Sequence, residues 1–181
     1  MKKLLVVVMA VLMISSFSFA QKWVYDSDFS IGDRPHGVVV DDQDRVWIGY
    51  YGPADTMFTA GGDTIAIDGL RCLNPDGTHA SFSPIMIFTN GSDINDTLDW
   101  SYSFSCRGVA LAADGNILFC GSAGKIYKIN KLTGEAMAKI VTPCEKSPTK
   151  CAVDANGYIY VTSVVPGGTP IYIFDEDMEL Y

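Results

Sequence analysis

The sequence contains few of the residues and motifs that mark common kinds of chemistry. It has only two histidines, and its five cysteines form neither a CxxC pair nor a Cys/His set at zinc spacing. It has no GxSxG segment to present a serine nucleophile and no GxGxxG or phosphate-binding loop. The sequence therefore gives no support to a zinc-finger, serine-hydrolase or nucleotide-binding function.

Basic residues are also scarce. Lysine and arginine together number 13 against 21 acidic residues, and the formal net charge is −8. Binding to phosphates depends mainly on lysine and arginine, which argues against nucleic acid as a partner. The same deficit argues against docking to an anionic membrane surface.

No apolar run is long enough to cross a bilayer, which takes roughly 20 residues. The longest, Leu4 to Ile14, follows two lysines and precedes the small residues Ser18 and Ala20. This layout is typical of a cleavable secretory signal at residues 1–20, the alternative being an uncleaved N-terminal anchor. It predicts a secreted, periplasmic or extracellular protein with no membrane span after cleavage.

An oxidising compartment permits disulfides, and an odd cysteine count leaves at least one thiol over. Cys120 lies in the apolar run "NILFCG", which favours a buried, inert thiol. Cys144 and Cys151 are near enough in the chain to close a short loop.

Three segments of the chain repeat one pattern: "HGVVVDDQDRVWIG", "RGVALAADGNILFCG" and "KCAVDANGYIYVTS". Aligned on Val46, Ile117 and Ile159, they are 71 and 42 residues apart. In each, a run of β-formers meets an Asp, Asn or Gly turn and a second β-rich run returns, which predicts a β-hairpin. A second strand–turn–strand follows in each unit, as in "GLRCLNPDGTHASF". Four short antiparallel strands every ~42 residues predict an all-β fold, a β-propeller of four-stranded blades.

These repeats resemble NHL-type repeats and the gluconolactonase/senescence-marker and virginiamycin-lyase-like propellers, which usually close with about six blades. The resemblance implies a partial propeller at residues 21–181. Blade one then covers about 34–88, blade two about 107–141 and blade three about 150–181. We expect an N-terminal part of a longer protein, truncated before closure, whose unpaired faces make it aggregate or oligomerise alone.

The first repeat interval is the longer one, so blade one carries insertions, around "GPADTMFTAGGDTIA" and "TNGSDINDTLDWSYSFS". In a four-stranded blade both connections lie on the face where the innermost strands begin, at the mouth of the central channel. Loops held on a scaffold commonly carry function. The predicted mouth is basic and polar within an acidic protein, which favours an anionic or polyol ligand. The predicted ligand-binding residues are Arg34, His36, Tyr50, Tyr51, Arg107 and Lys150.

His36 opens blade one in a "PHG" segment. In peptidylglycine-lyase-type propellers a similar histidine binds zinc with histidines of other blades. Here the matching positions hold Arg107 and Lys150, and the other histidine, His79, falls in the outer part of blade one. A hydrogen-bonding or structural role for His36 is favoured over zinc ligation, which would need ligands from outside these repeats.

The acidic residues have similar alternatives. Asp41, Asp42 and Asp44 fall in the tight turn on the face opposite the mouth, where aspartate bonds nearby backbone. The segment "GSDINDTLD" has oxygen ligands for calcium but lacks the glycine and final glutamate of a calcium loop. No cofactor is evident, and calcium or zinc is the alternative.

Several aromatic residues lie in or near the insertions, where they either form a platform for a sugar or peptide or plug the channel. They are Tyr50, Tyr51, Phe58, Trp100, Tyr102 and Phe104.

The favoured interpretation is a secreted binding or interaction module whose ligand, a small molecule, glycan or protein, binds at the channel mouth. The alternative is a metal-dependent lactonase or lyase of the gluconolactonase-like class, although no catalytic motif is identifiable. A structural repeat within a larger adhesin is the third possibility.

Overall fold

The chain folds into short antiparallel strands joined by tight turns. The computed structural model describes residues 34–53, 55–100, 105–143, 147–164 and 171–181. The leader predicted at residues 1–20 lies outside these ranges. The strands are β1 (Pro35–Val40), β2 (Val46–Tyr50), β3 (Asp55–Phe58), β4 (Thr64–Ile67), β5 (Leu70–Leu73), β6 (Ile87–Thr89), β7 (Asn95–Thr97), β8 (Cys106–Leu111), β9 (Ile117–Gly121), β10 (Lys125–Ile129), β11 (Ala136–Val141), β12 (Ala152–Val153), β13 (Ile159–Val161) and β14 (Tyr172–Phe174).

Blade two shows the repeat unit in full, as the sheet β11-β10-β9-β8. Its strands are rich in Ile, Leu, Val and Phe, and β9 is buried along its whole length. Side chains alternate between the two faces of a strand. Phe119 accordingly packs into the core shared with blade one, while its neighbours Leu118 and Cys120 pack into the core shared with blade three.

Blade one is the sheet β1-β2-β5, and blade three is β12-β13-β14. The fourth strand predicted for blade one is reduced to isolated bridges, which pair Leu70 with Ile85 and Leu73 with His79. Pro84 lies in this stretch and has no N–H to donate to a ladder. The predicted insertions form the hairpins β3–β4 and β6–β7. The described chain is thus a partial β-propeller, which confirms the predicted fold class.

The predicted turn at the far end of the first hairpin is also confirmed. Asp41 accepts hydrogen bonds at one oxygen from the Gln43 and Arg45 amides, at 2.9 and 3.1 Å. Its other oxygen accepts from Arg45 Nε at 2.8 Å and Trp47 Nε1 at 2.9 Å. Arg45 Nη2 continues across to the carbonyl of Lys131 in blade two, at 2.7 Å. One buried carboxylate therefore holds the turn, the core tryptophan and the contact between two blades.

The repeat also identifies which faces of the described sheets are uncovered. Val109 in blade two is fully buried against blade one. Its counterpart in blade one, Val38, is 59% exposed, and Val40 two residues later is 49% exposed. At the other end, Ala152 and Tyr160 of blade three are more exposed than their counterparts Ala110 and Leu118. The described part of the chain contains no helix that is long and apolar enough to cross a membrane.

Candidate functional site

Four of the six predicted ligand-binding residues lie together around the ring of Tyr51. The His36 ring lies 5.3 Å from the Tyr51 ring, centroid to centroid, at 39°. The Arg107 guanidinium carbon lies 4.8 Å from the centre of the same ring. Trp100 meets Tyr51 edge-on, with ring centroids 6.3 Å apart. We call Arg34, His36, Tyr51, Trp100 and Arg107 the mouth cluster.

The start of β1 holds the cluster to the end of β2. The Tyr51 amide donates to the carbonyl of Arg34 at 3.0 Å, and Arg34 has a left-handed backbone, with φ of 59°. Gly52 follows with φ of 127°, and a Cβ there would lie 2.9 Å from Arg34 Nη1. The glycine therefore lets the Arg34 side chain lie close over the loop.

Arg107 brings blade two into the cluster. It precedes Gly108 near the start of β8, which is the position that His36 occupies in blade one. Its Nη2 donates to Ser147 Oγ at 3.3 Å. Its Nε is buried and has no hydrogen-bond partner among the described residues. Tyr51 and Trp100 are 39% and 36% exposed, so the cluster presents aromatic surface beside its cations.

The other two predicted residues lie elsewhere. Tyr50 is fully buried and packs with Ile48 and Leu73, and the Arg71 guanidinium carbon lies 5.0 Å from its ring centre. Lys150 is exposed and lies against Gly108, where a Cβ would come within 2.5 Å of Lys150 Cβ. In the repeat, Thr149 takes the place of His36 and Arg107, and Lys150 takes the place of the glycine that follows. The ligand-binding role of all six residues stays a prediction.

The remaining predicted aromatics divide between the insertions and the masked stretch of the chain. Phe58 is 76% exposed on the hairpin β3–β4, where it lines an open groove with Met57, Ile65 and Ile87. Tyr102 and Phe104 lie outside the described residues. Of the predicted aromatic platform, Tyr51 and Trp100 are thus the two in mutual contact.

A buried carboxylate beneath the mouth was not identified in the sequence. Asp68 is fully buried, and its Oδ1 accepts the Gly52 amide hydrogen bond at 2.9 Å, one residue beyond Tyr51. Its Oδ2 has no partner among the described residues. Burial raises the pKa of Asp68 to about 6, against the opposing hydrogen bonds of Gly52 and Ser105. In the sequence Asp68 stands in "IDGL", which looks like an ordinary Asp-Gly turn.

We expect Asp68→Asn to stabilise the protein at neutral pH. A folded pKa above the unfolded value means that ionisation disfavours folding, so wild-type stability falls as pH rises from about 4 to about 6. The variant removes this loss, a gain of up to about 2 kcal/mol at pH 8 that shrinks towards zero at pH 4. Denaturant unfolding at both pH values measures it. The exposed Asp63→Asn is the control, and equal gains at both pH values would contradict the assignment.

The acidic residues suggested for calcium do not converge. Asp96 instead forms ion pairs with Lys125 at 2.8 Å and Lys139 at 3.0 Å, tying β7 to blade two. Although burial alone would raise it, these hydrogen bonds hold the pKa of Asp96 below its ordinary value. Asp93 accepts from Asn90 Nδ2 at 2.8 Å. Across the described ranges, no group of three His, Cys, Asp or Glu side chains is placed to hold a metal. The described residues thus do not fit the zinc or calcium that the resemblance allows.

Comparison with known proteins bears on the fold. No model of a protein family matches the sequence, and no curated protein matches it. Among solved structures, a putative gluconolactonase matches with a TM-score of 0.52 at 18% identity, covering 88% of this chain and 51% of that one. The described chain has the fold of a gluconolactonase-like propeller.

Two further propellers align over similar spans. A gluconolactonase from Xanthomonas campestris gives a TM-score of 0.49 at 15% identity, over 91% of this chain and 52% of that one. Virginiamycin B lyase from Staphylococcus aureus gives 0.47 at 20% identity, over 78% and 41%. The chain therefore spans about half the length of the gluconolactonase-like propellers it matches, and likeness at this identity concerns the fold alone.

Proposed function

We propose that the mouth cluster binds an anionic ligand that also carries an apolar or sugar-like face. The observation that carries this is the placement of Arg107 over Tyr51, 4.8 Å from the ring centre, beside the exposed edge of Trp100. A guanidinium supplies paired donors that match a carboxylate. The aromatic faces supply area for the C–H surface of a sugar or sugar acid.

The charges of the cluster support the sign of the ligand. The chain as a whole carries a net charge of −8, yet Arg34 and Arg107 both lie at Tyr51, and no acidic side chain makes a recorded contact with the described part of the cluster. A local cationic site in an acidic protein attracts anions by concentrating the field at that point. The buried Arg107 Nε without a partner adds a donor that an acceptor in the mouth would satisfy.

Sodium gluconate, an anionic polyol, is the probe that tests the proposal. We expect saturable binding by calorimetry, with Arg107→Gln weakening it about 10- to 100-fold, as expected for a lost charge-assisted hydrogen bond. Arg71→Gln is the matched control, because Arg71 makes the same kind of cation–aromatic contact on the buried side, with Tyr50. Equal affinity of wild type and Arg107→Gln would refute the proposal. Uncharged glucitol should bind more weakly than gluconate.

A second candidate, a lactone hydrolase or lyase, is favoured by the likeness to a putative gluconolactonase at a TM-score of 0.52. In that case the mouth cluster would orient the ligand through its cations and rings. The described residues supply no metal-binding group, so no step is assigned to a metal. Release of acid from glucono-1,5-lactone, measured with and without added divalent cations, tests this candidate separately. Turnover that Arg107→Gln reduces would support it, and turnover no faster than in buffer would count against it.

The leader pattern places this binding outside the cytoplasm, and the proposal extends to a secreted or periplasmic protein. Its ligand would then be met outside the cell or in the periplasm.

A further inference from the structure

Two cysteines face each other at the contact between blades two and three. Cys120 lies on β9, and Cys151 lies immediately before β12. Both are buried, at 0% and 3% exposure, within the apolar core that the two blades share. Their Sγ atoms are 3.0 Å apart. The sequence had suggested Cys144 as the neighbour of Cys151, and Cys144 lies outside the described residues.

The repeat shows that this pairing is particular to one interface. Cys120 occupies the position of Gly49 in blade one, and Cys151 occupies the position of Val109 in blade two. At the contact between blades one and two, a Cβ on Gly49 would lie 3.1 Å from Val109 Cγ2. The fold thus brings these two positions together at each blade contact. Between blades two and three, both positions are cysteine.

We propose that Cys120 and Cys151 form a disulfide that joins blade two to blade three. The sulfur atoms need to approach by only about 1 Å to reach the length of an S–S bond. Both cysteines lie on or beside strands fixed by backbone pairing, so the bond would hold the interface in the arrangement that the two cores already favour. The inference is independent of what the mouth cluster binds.

The chemistry balances as a thiol–disulfide exchange. The two thiols lose two protons and two electrons as the S–S bond forms, and an oxidant disulfide, such as glutathione disulfide or that of a thiol oxidase, is reduced to two thiols. The hydrogen bond with Cys120 and burial raise the pKa of Cys151 well above its ordinary value. Thiolate attack in the folded state is therefore slow. Oxidation is expected while the chain folds, before the core closes.

Such a bond encloses a stretch of 31 residues between the two cysteines. Closing a loop of that size restricts the unfolded chain, and in a domain of this size we expect the midpoint of thermal unfolding to rise by about 10 °C. A bond between Cys144 and Cys151 would close a far shorter loop and leave blades two and three unlinked.

Peptide mapping of the wild-type protein tests the proposal without any substitution. The protein is expressed in an oxidising compartment, alkylated under denaturing conditions without reductant, and digested. We expect a linked pair of peptides that carry Cys120 and Cys151, which separates on reduction. Recovery of both cysteines in alkylated form, or a link between Cys144 and Cys151, overturns the proposal.

Thermal unfolding with and without dithiothreitol gives a second readout. Reductant should lower the wild-type midpoint by about 10 °C and should leave Cys120→Ser unchanged. Cys72→Ala is the matched control, because Cys72 is a buried cysteine of blade one and this variant should keep the response to reductant. A wild-type midpoint that does not respond to reductant contradicts the proposal.

Discussion

Replacing Asp41 by alanine is expected to lower the free energy of unfolding by about 3–5 kcal/mol, the usual cost of removing one partner of a buried ion pair. The carboxylate accepts from Arg45 Nε at 2.8 Å and Trp47 Nε1 at 2.9 Å. Without it, a mostly buried guanidinium loses its counter-charge and a fully buried indole N–H loses its acceptor. Both losses fall at the contact of Arg45 with the Lys131 carbonyl, so we expect blades one and two to loosen together.

Chemical denaturation of wild type, Asp41→Ala and Asp42→Ala measures this cost. Asp42 is the matched control: it is the next residue, and its carboxylate, 70% exposed, pairs with Lys131 at 2.7 Å. An exposed ion pair contributes about 0–1 kcal/mol. Equal costs for the two alanine variants would contradict the role given to Asp41.

The same site makes stability depend on acid. Burial opposes ionisation of Asp41, but hydrogen bonds from Trp47 and Arg45 hold its pKa below the ordinary value of 3.8. A lowered folded pKa contributes stability that is complete well above pH 4 and is lost as pH falls through the folded pKa. The difference between wild type and Asp41→Ala should therefore shrink at low pH.

Replacing Gly108 by valine is expected to cost about 3 kcal/mol or more, at the upper end of the range for overpacking a core. A Cβ at residue 108 would lie 2.5 Å from Lys150 Cβ and 2.6 Å from Lys150 Cα. The backbone of blade three cannot yield as a flexible side chain would, so the two blades must separate. Gly37 meets blade two in the same way, with a Cβ 2.8 Å from the Val109 amide nitrogen.

Gly61→Ala is the control for that substitution. A Cβ on Gly61, in the turn of the hairpin β3–β4, meets nothing nearer than Thr59 Oγ1 at 3.7 Å. Urea unfolding should place Gly61→Ala within about 0.5–1 kcal/mol of wild type. A Gly108→Val protein as stable as Gly61→Ala would show that the close contact between blades two and three is wrong.

Much of the fold followed from the sequence because it depends on local patterns that repeat. The strands β8 and β9 and their turn follow from a run of β-formers, an Asp-Gly turn and a second such run. The repeat also placed Asp41 in the turn away from the mouth, so that the histidine and aspartates of one short stretch do not form one site. The missing ladder on the outer edge of blade one was not predicted, because it depends on a proline in a segment whose pattern otherwise favours a strand.

The site was predicted in part, and the error in it has a simple origin. Tyr50 and Tyr51 are neighbours at the end of a strand, where consecutive side chains point to opposite faces. Tyr51 therefore joins His36 and Arg107, while Tyr50 is buried with Arg71. The alternation was available in the sequence. Which of the two tyrosines faced the mouth was not, since that depends on the register of β1 against β2.

Asp68 and the Cys120–Cys151 contact depend on tertiary structure in a stronger sense. Asp68 is remarkable in no local pattern, and its burial results from the packing of the loop after β2 against the segment before β8. The cysteine contact requires knowing which positions of adjacent blades meet. Aligning the repeats gives that answer only after the Gly49–Val109 contact is known.

The most direct test of the account is a titration of sodium gluconate into the isotopically labelled protein, followed by the NMR signals of the Trp100 indole and the Arg107 side chain. The account predicts that both signals shift together and saturate in wild type and in Arg71→Gln, and that the Trp100 shift is lost or needs about 10- to 100-fold more gluconate in Arg107→Gln. Gluconate that leaves both signals unmoved, or that shifts the Trp100 signal equally in Arg107→Gln, would contradict the claim that the mouth cluster is the binding site.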